Sequence, residues 1–211
     1  MKILLTGANG GIGSAIKEAL EAAGHTVLPI IQEDTDLSRA ADIDQLASRL
    51  SSETLDWIVC AHGYIDLETE LEKQTTESIY KAFELNVISH IFLVQKLAQL
   101  MNKNGGMVVI SSSAGLAPNG RYAAYSASKA AVNAFVQAMA RNKPEHKFVS
   151  VCPGPTNTTM RENLAHDAAA QQNPQIIAET IKKIITGELT TTSGDIWLVK
   201  NGETTKASSL S

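Results

Sequence analysis

No apolar run in the sequence approaches the roughly 20 residues that a helix needs to cross a bilayer. The first strand candidate begins at Lys2, which leaves no room for a signal peptide. Basic residues are not in excess either: at a net charge of −4, the chain lacks the positive surface that nucleic-acid binding requires. We therefore expect a cytoplasmic protein that binds neither membranes nor nucleic acids.

Cysteine is scarce as well. Cys60 and Cys152 each end an apolar run, so we expect both to be buried thiols in a reducing compartment. The spacing of the cysteine and histidine residues suggests no metal site. The composition thus favours an ordinary hydrophobic core over a disulfide framework or a structural metal.

Six short apolar runs recur along the chain, with helix-like segments between them. This alternation is typical of a parallel sheet that is covered on both faces. With 211 residues, 44% of them hydrophobic, the chain can build one such domain with a sizeable core. We predict an α/β fold with a Rossmann-like, doubly wound parallel sheet of about six strands, at residues 3–6, 26–31, 55–60, 106–111, 147–152 and 194–199.

Capping and breaking signals place the helices between these strands. The polar tail, about 202–211, is expected to be loose, and the whole chain 1–211 is expected to be a single domain. The predicted helices cover residues 12–23, from 75 or 76 to about 101, 121–142, and 174 to about 186.

The first strand leads directly into a glycine-rich turn, Thr6-Gly7-Ala8-Asn9-Gly10-Gly11-Ile12-Gly13, and then into a helix. Glycines allow the backbone to turn tightly and to approach a pyrophosphate closely. The helix N-terminus then presents free N–H groups and a positive dipole end to the anion. The segment therefore predicts a dinucleotide-phosphate site.

Tyr125 and Lys129 are four residues apart in an alanine-rich segment that we predict to be helical, so both lie on one helix face. A cation beside a phenol favours the phenolate and lowers a tyrosine pKa from its ordinary value of about 10. Ser112 closely follows the buried strand candidate, where its hydroxyl can hold a substrate oxygen. Together the three side chains could act in general acid–base catalysis on a carbonyl compound or an alcohol.

In this order and spacing, the motifs resemble those of the short-chain dehydrogenases/reductases. The resemblance covers about residues 1–200 and implies reversible hydride transfer between NAD(P)(H) and a small-molecule alcohol or carbonyl compound. It rests on Thr6-Gly7-x-x-x-Gly11-x-Gly13, Asn86 in Leu85-Asn86-Val87, Ser112 thirteen residues before Tyr125 in Tyr-x-x-x-Lys, and Pro153-Gly154 with Thr158 four residues later.

The resemblance also assigns the site residues. Asn86, Ser112, Tyr125 and Lys129 would be catalytic, with Asn86 supporting a water that relays protons to Lys129. Ser111 and Ser113 compete for the role of Ser112, although the spacing to Tyr125 favours Ser112. The cofactor-binding residues would be Gly7, Asn9, Gly11, Ile12, Gly13, Asp36, Gly63, Lys129, Pro153, Gly154 and Thr158.

Two segments depart from the family pattern. Between the second strand and Asp36 there is too little chain for the usual helix and strand, so we infer that one βα unit has been trimmed. Asp36 then resembles the acidic residue at the end of the missing strand. The second departure is Cys60-Ala61-His62-Gly63, where the family usually has Asn-Asn-Ala-Gly. His62 is more often a residue that ends a strand than a catalyst.

Charges after the second strand bear on the choice of cofactor. Glu33 or Asp34 can accept from a ribose 2′-hydroxyl and would repel a 2′-phosphate, which favours NAD(H) over NADP(H). The trimmed segment leaves an alternative open, because it could bring Arg39 toward the ribose.

The resemblance further implies a homodimer or homotetramer, paired through helices near 76–101 and 121–141. The substrate pocket is expected from residues 116–121 and from a mobile lid at 155–172 that contains Met160 and Leu164. The sequence does not decide the role of Arg121. Two alternatives remain: a cofactor-binding sensor or scaffold without turnover, and an epimerase or dehydratase, whose relatives are usually longer.

Overall fold

The computed structural model describes residues 1–118, 120–162 and 171–208. They form one Rossmann-like sheet of seven strands in the order β2-β1-β3-β4-β5-β6-β7, in which β1 to β6 are parallel and β7 is antiparallel. The strands are β1 Lys2–Thr6, β2 Thr26–Ile30, β3 Leu55–Cys60, β4 Met101–Ile110, β5 Lys147–Pro153, β6 Ile196–Lys200 and β7 Glu203–Ser208.

The helices cover both faces of the sheet. They are α1 Gly11–Ala22, α2 Ala40–Arg49, α3 Thr76–Phe83, α4 Ser89–Leu97, α5 Ala123–Asn142, α6 Thr159–Glu162 and α7 Pro174–Thr186. Within the described ranges, no helix is both long and apolar enough to cross a bilayer.

Strand alternation divides the core into two layers. Ile3 and Leu5 of β1 face the layer that packs against α1 and α7, whereas Leu4 faces the layer that packs against α2, α4 and α5. Side chains of successive strand residues point to opposite faces, so a sheet buried on both sides must be apolar at every position. The continuous apolar runs of the sequence follow from this requirement.

The prediction of a loose tail and of about six strands was wrong at the carboxyl end. Asn201 and Gly202 both have positive φ, 54° and 83°, and they turn the chain back so that β7 pairs with β6. Asn-Gly is the preferred sequence for such a two-residue hairpin turn. The signal for the seventh strand was therefore present in the sequence, in a segment too polar to suggest a strand.

The predicted long helix near 76–101 is interrupted. A π-helical turn at Glu84–Ile88 separates α3 from α4, and a 3₁₀ turn at Ala98–Leu100 leads into Met101, which already belongs to β4. The wider π turn changes the direction in which the following side chains point.

The structure agrees with the inference that one βα unit has been trimmed after β2. Residues 31–54, all of them described, contain helix α2 and no strand, so β2 forms the edge of the sheet. Pro29 lies exposed in β2 and, because it has no N–H, it weakens this edge as a template for another strand.

The β7 hairpin provides a test of how the carboxyl end is stabilised. The Lys206 ammonium lies 2.7 Å from Oδ2 of the fully buried Asp195 and 5.1 Å from the centre of the Trp197 ring. We expect Lys206→Met to lower the free energy of unfolding by about 1–3 kcal/mol, because it leaves a buried carboxylate without its charged partner. Urea denaturation measures the change. Lys103→Met, at an exposed position, is the control, and an equal effect of both substitutions would contradict the prediction.

Candidate active site

The turn after β1 is too tight for any residue but glycine at two positions. Gly7 has φ +68°, and a Cβ there would lie 2.7 Å from the backbone nitrogen of His62. A Cβ on Gly13 would lie 2.0 Å from the carbonyl oxygen of Gly7. Since both contacts are with backbone, neither can be relieved by a side-chain rotation. The glycines thus fix the approach of the chain into α1.

The N-terminus of α1 opens toward a cleft. The N-cap residue of this helix is Gly10, which has no side chain to cap it. The first turn, all of which the structure describes, carries no acidic residue. The uncapped N–H groups and the helix dipole favour an anion at this end. A Cβ on Gly11 would lie 2.8 Å from Cγ2 of Thr158, which shows how closely the turn faces the segment after β5.

The cleft has a volume of about 550 Å³ and lies at the carboxyl ends of β1, β3, β4 and β5. It brings most of the predicted site residues together. Those that line it are Asn9, Gly11, Ile12, Gly13, Gly63, Ser112, Tyr125, Lys129, Pro153, Gly154 and Thr158.

Lys129 projects from α5 into the floor of this cleft and is only 3% exposed. Its ammonium donates a 3.0 Å hydrogen bond to the carbonyl of Ile110 at the end of β4, and it lies 5.7 Å from the centre of the Tyr125 ring. Burial lowers the pKa of Lys129 to about 8, with smaller opposing contributions from Cys152 and Cys60. The ammonium therefore remains largely charged at neutral pH.

The three consecutive serines after β4 have different surroundings. Ser111 is buried, and its hydroxyl donates to the backbone carbonyl of Lys129 at 3.0 Å, which ties β4 to α5. Ser112 is half-buried, and its Oγ accepts from the N–H of Ala114 at 3.1 Å. The proton of the Ser112 hydroxyl can then be donated into the cleft. Ser113, which also lines the cleft, begins a 3₁₀ turn.

Among the described residues, three of the predicted site residues do not line the cleft: Gly7, Asn86 and Asp36. Asn86 is fully buried behind it, where Oδ1 accepts from the N–H of Tyr64 at 2.8 Å and Nδ2 donates to Tyr64 O and to Ser128 Oγ. Asp36 accepts from the N–H and hydroxyl of Ser38, and these bonds lower the pKa of its carboxyl despite some desolvation. Its carboxylate thus stabilises its own turn.

A family model described as "short chain dehydrogenase" matches residues 29–169, more than half of the chain. The protein belongs to the short-chain dehydrogenase family.

Individual relatives agree with this assignment. An uncharacterized oxidoreductase of Schizosaccharomyces pombe is 28% identical over 186 residues, which cover 79% of this chain and 75% of that protein. A short chain dehydrogenase family protein from Francisella tularensis superposes with a TM-score of 0.87 at 22% identity, covering 95% and 97% of the two chains. The 3-ketoacyl-(acyl-carrier-protein) reductase from Brucella melitensis, in complex with NADH, superposes with a TM-score of 0.86 at 18% identity, covering 95% and 97%.

In this short-chain dehydrogenase, the predicted substrate loops are placed only in part. Ala117 of the first loop lines the cleft, and so do Pro155, Thr156, Thr159 and Met160 of the second. The predicted lid residue Leu164 lies outside the described residues. Sequence reasoning missed three further contributors to the wall, Tyr64, Ile65 and Tyr122, because no local pattern places them beside the cleft.

Sequence reasoning also left His62 without a role. The structure places it in the wall of the cleft, with Nδ1 2.6 Å from Thr6 Oγ1 and Nε2 2.7 Å from Ser89 Oγ. Its ring stacks on that of His90, with a centroid separation of 4.5 Å. Burial, and then the charge of Lys129, lower the pKa of His62 to about 3. The signal in the sequence was a histidine directly before Gly63, but its hydrogen-bond partners, Thr6 and Ser89, come from two distant elements.

The steric requirement for glycine in the turn can be tested by substitution. Gly13→Ala should prevent the native turn from forming, because its Cβ would lie 2.0 Å from Gly7 O. We expect a loss of about 2 kcal/mol or more in the free energy of unfolding, together with loss of NADH binding. Thermal melting and fluorescence titration measure the two effects. Gly10→Ala is the matched control, since its Cβ meets the same oxygen at 3.3 Å. Equal melting temperatures of both variants would contradict the prediction.

Proposed function

We propose that this short-chain dehydrogenase transfers a hydride reversibly between NAD(P)(H) and a small-molecule alcohol or carbonyl compound. The observation that carries the proposal is the presence of Ser112, Tyr125 and Lys129 in the same cleft as the uncapped N-terminus of α1. A sensor or scaffold would need the second feature but not the first.

The cleft fits a dinucleotide by its shape and its donors. Gly7 and Gly13 allow the tight turn into α1 that any Cβ would block, and Gly11 and Ile12, at the uncapped N-terminus of α1, line the cleft, where they would hold a pyrophosphate. Gly63 extends the glycine surface beside Lys129, with a would-be Cβ 3.3 Å from Nζ. Pro153, Gly154 and Thr158 would hold the nicotinamide end, where the nicotinamide supplies or accepts the hydride.

Ser112, Tyr125 and Lys129 then have separate roles in the reaction at the substrate oxygen. Ser112 donates its hydroxyl proton to that oxygen, while Ala114 N–H holds Oγ in place. Tyr125 gives its phenolic proton to the oxygen during reduction and takes it back during oxidation. The ammonium of Lys129, fixed by Ile110 O, stabilises the phenolate that remains after the proton has left.

Asn86 supports this arrangement from behind. Because its amide is hydrogen-bonded to both backbone groups of Tyr64 and to Ser128, it joins the π turn to α5 and to the segment that contains Gly63. We propose that Asn86 acts through this positioning, and that any relay of protons uses water beside it.

Tyr125→Phe isolates the acid–base step. We expect kcat to fall at least about 100-fold in either direction, because a general acid contributes typically 10²–10⁴-fold. NADH affinity should stay close to that of the native protein, since the ring is retained. Nicotinamide absorbance over a panel of alcohols and carbonyls gives kcat, and fluorescence titration gives Kd. Tyr122→Phe, in the same wall of the cleft, is the control. A Tyr125→Phe enzyme with more than about a tenth of the native kcat would remove Tyr125 from this role.

The preference between cofactors rests on Glu33. Asn9 Nδ2 donates to Glu33 Oε2 at 3.3 Å, so this carboxylate, and not that of Asp36, lies beside the glycine turn. The exposed Arg39 lies 3.9 Å from Asp42 through its Nε. We propose that NAD(H) binds more tightly than NADP(H), because Glu33 would repel a 2′-phosphate.

Glu33→Gln should therefore improve NADPH affinity while changing NADH affinity little. Fluorescence titrations with both cofactors measure the ratio, and Asp34→Asn, one residue along, is the control for removing a nearby charge. If the native protein binds NADPH more tightly than NADH, the preference is reversed and Arg39 becomes the candidate partner of the phosphate.

We further propose a homodimer or homotetramer paired through α4 and α5. Ile88 and Ile91 are 41% and 40% exposed near the start of α4, and the outer face of α5 presents the exposed residues Ala123, Ala127, Ala134 and Ala138. Small side chains allow two copies of such a helix to approach closely across a two-fold axis.

Light scattering at micromolar concentration tests the assembly. We expect a multiple of the chain mass for the native protein and a monomer for Ile91→Glu, because the substitution places two charges at the axis. A monomeric native protein would contradict the proposal.

A further inference from the structure

Behind the catalytic lysine lies a cluster of polar side chains that the proposed mechanism does not use. Thr6 ends β1, Cys60 ends β3, and His62 follows it by two residues, while Ser89 and His90 begin α4. All but His62 are less than 2% exposed. Polar groups buried in this way are costly unless hydrogen bonds satisfy them.

The cluster is better described as a hydrogen-bond network than as a metal centre. The ligand atoms of Cys60, His62 and His90 lie within 4.8 Å of one another. However, the two imidazole rings are stacked with an interplanar angle of only 16°, whereas metal-bound nitrogens must direct their lone pairs at one point. Hydroxyls already occupy both nitrogens of His62, and burial raises the pKa of the Cys60 thiol to about 12.

Counting protons assigns the tautomer of His62. Ser89 Oγ lies 2.8 Å from the carbonyl of Leu85, which can only accept, and 3.4 Å from His90 Nδ1. The shorter bond, to Leu85, takes the hydroxyl proton, so toward His62 the Oγ accepts. Nε2 of His62 therefore carries the proton. Nδ1 is then the acceptor, and the hydroxyl of Thr6 donates to it. The chain of bonds runs in one direction from Thr6 through His62 and Ser89 to Leu85, and it joins β1 and the end of β3 to α4.

These hydrogen bonds hold His62 next to a segment that contacts Asn86 and Lys129. The residue after His62 is Gly63, whose would-be Cβ lies 3.0 Å from Asn86 Oδ1 and 3.3 Å from Lys129 Nζ. The next residue, Tyr64, is held at both backbone groups by Asn86. A displacement of His62 would therefore move the segment that lies against the Lys129 ammonium, and it would let water reach a group that is only 3% exposed.

We propose that His62, as the neutral Nε2–H tautomer bonded to Thr6 and Ser89, is a positioning residue that holds Gly63 and Tyr64 against the Lys129 ammonium. The inference rests on the proposed function only where it concerns the rate of the reaction. The position of Gly63 in the cleft also affects cofactor affinity, which can be measured without a substrate.

The charges around His62 agree with its neutral form. Among the described residues, three titratable groups face it: Cys60 of β3, His90 of α4 and Lys129 of α5. The thiol is neutral, burial lowers the pKa of His90 well below the usual value, and Lys129 is cationic. A proton on His62 would place a second positive charge beside the ammonium, in a region of low dielectric constant.

The first test uses three variants. His62→Ala removes both links, His62→Gln keeps a donor toward Ser89, and His146→Gln changes another buried histidine, one that lies just before β5. For His62→Ala we expect NADH affinity to fall about tenfold and kcat to fall about ten- to a hundredfold. For His62→Gln we expect smaller losses, and for His146→Gln none. Unchanged NADH affinity in His62→Ala would overturn the proposal.

The pH profile separates positioning from plain destabilisation. In the oxidation direction, the rise of kcat with pH should move upward by about half a unit or more in His62→Ala, because a hydrated Lys129 stabilises the Tyr125 phenolate less. A variant that only melts at a lower temperature, with native kcat and pH profile, would show that His62 is merely structural and would overturn the proposal.

The second test needs no turnover. Nitrogen-15 spectra of histidine-labelled protein should show the His62 ring, identified by comparison with His62→Gln, as an Nε2–H ring that stays neutral to about pH 5, below the ordinary histidine pKa of about 6.5. His62→Gln should remove this signal. A His62 signal that is protonated or Nδ1–H at pH 6 would overturn the proposal. Failure of every carbonyl compound as a substrate would count against the proposed function instead, while the spectra and the NADH titration would still decide the role of His62.

Discussion

The buried ammonium of Lys129 is the constraint on which the arrangement of the cleft depends. A cation that is 97% withdrawn from solvent must find hydrogen-bond acceptors within the protein, and Ile110 O, at the end of β4, provides one at 3.0 Å. This bond fixes α5 relative to the sheet and, through the helix, fixes Tyr125 one turn earlier. Ser111 adds a second link between the same elements by donating to Lys129 O. The orientation of the phenol over the cleft is therefore a consequence of how the lysine is satisfied.

The π turn at Glu84–Ile88 has a related role. A regular helix from Thr76 onward would not bring Asn86 toward Tyr64 and Ser89 toward His62 in the same way, since one extra residue in a turn rotates everything that follows it. Through the turn, Asn86 bonds to Ser128 of α5, and Ser89 bonds to His62 after β3. Asn86 and Ser89 thus connect the interrupted helix to α5, which carries Lys129, and to the segment after β3, which contains Gly63.

Local chemistry explains which features the sequence could predict. The six parallel strands each contain a short apolar run, the glycine turn is a steric requirement of neighbouring residues, and Tyr125 and Lys129 are related by one helical turn. By contrast, the π turn has no residue pattern of its own, and the network around His62 unites residues 6, 62 and 89. Asp36 shows the same limit: its resemblance to the acidic residue of the missing strand suggested contact with the cofactor, but its carboxylate accepts hydrogen bonds from Ser38, two residues away. β7 was overlooked despite a local signal, because the Asn201-Gly202 turn joins a strand too polar to be recognised, and so was the amphipathic helix α2, Ala40–Arg49.

The trimmed unit changes what the remaining residues must do. With β2 at the edge of the sheet, no further strand of the described chain flanks the side of the cleft next to the glycine turn, and the segment after β2 supplies Glu33 there. Glu33 reaches the turn through Asn9, which lines the cleft. An exposed carboxylate held by a single 3.3 Å hydrogen bond has more freedom than one fixed by a neighbouring strand. Discrimination between cofactors at this end therefore depends mainly on charge, which acts at a distance, and less on a rigid pocket that would measure the shape of the ribose.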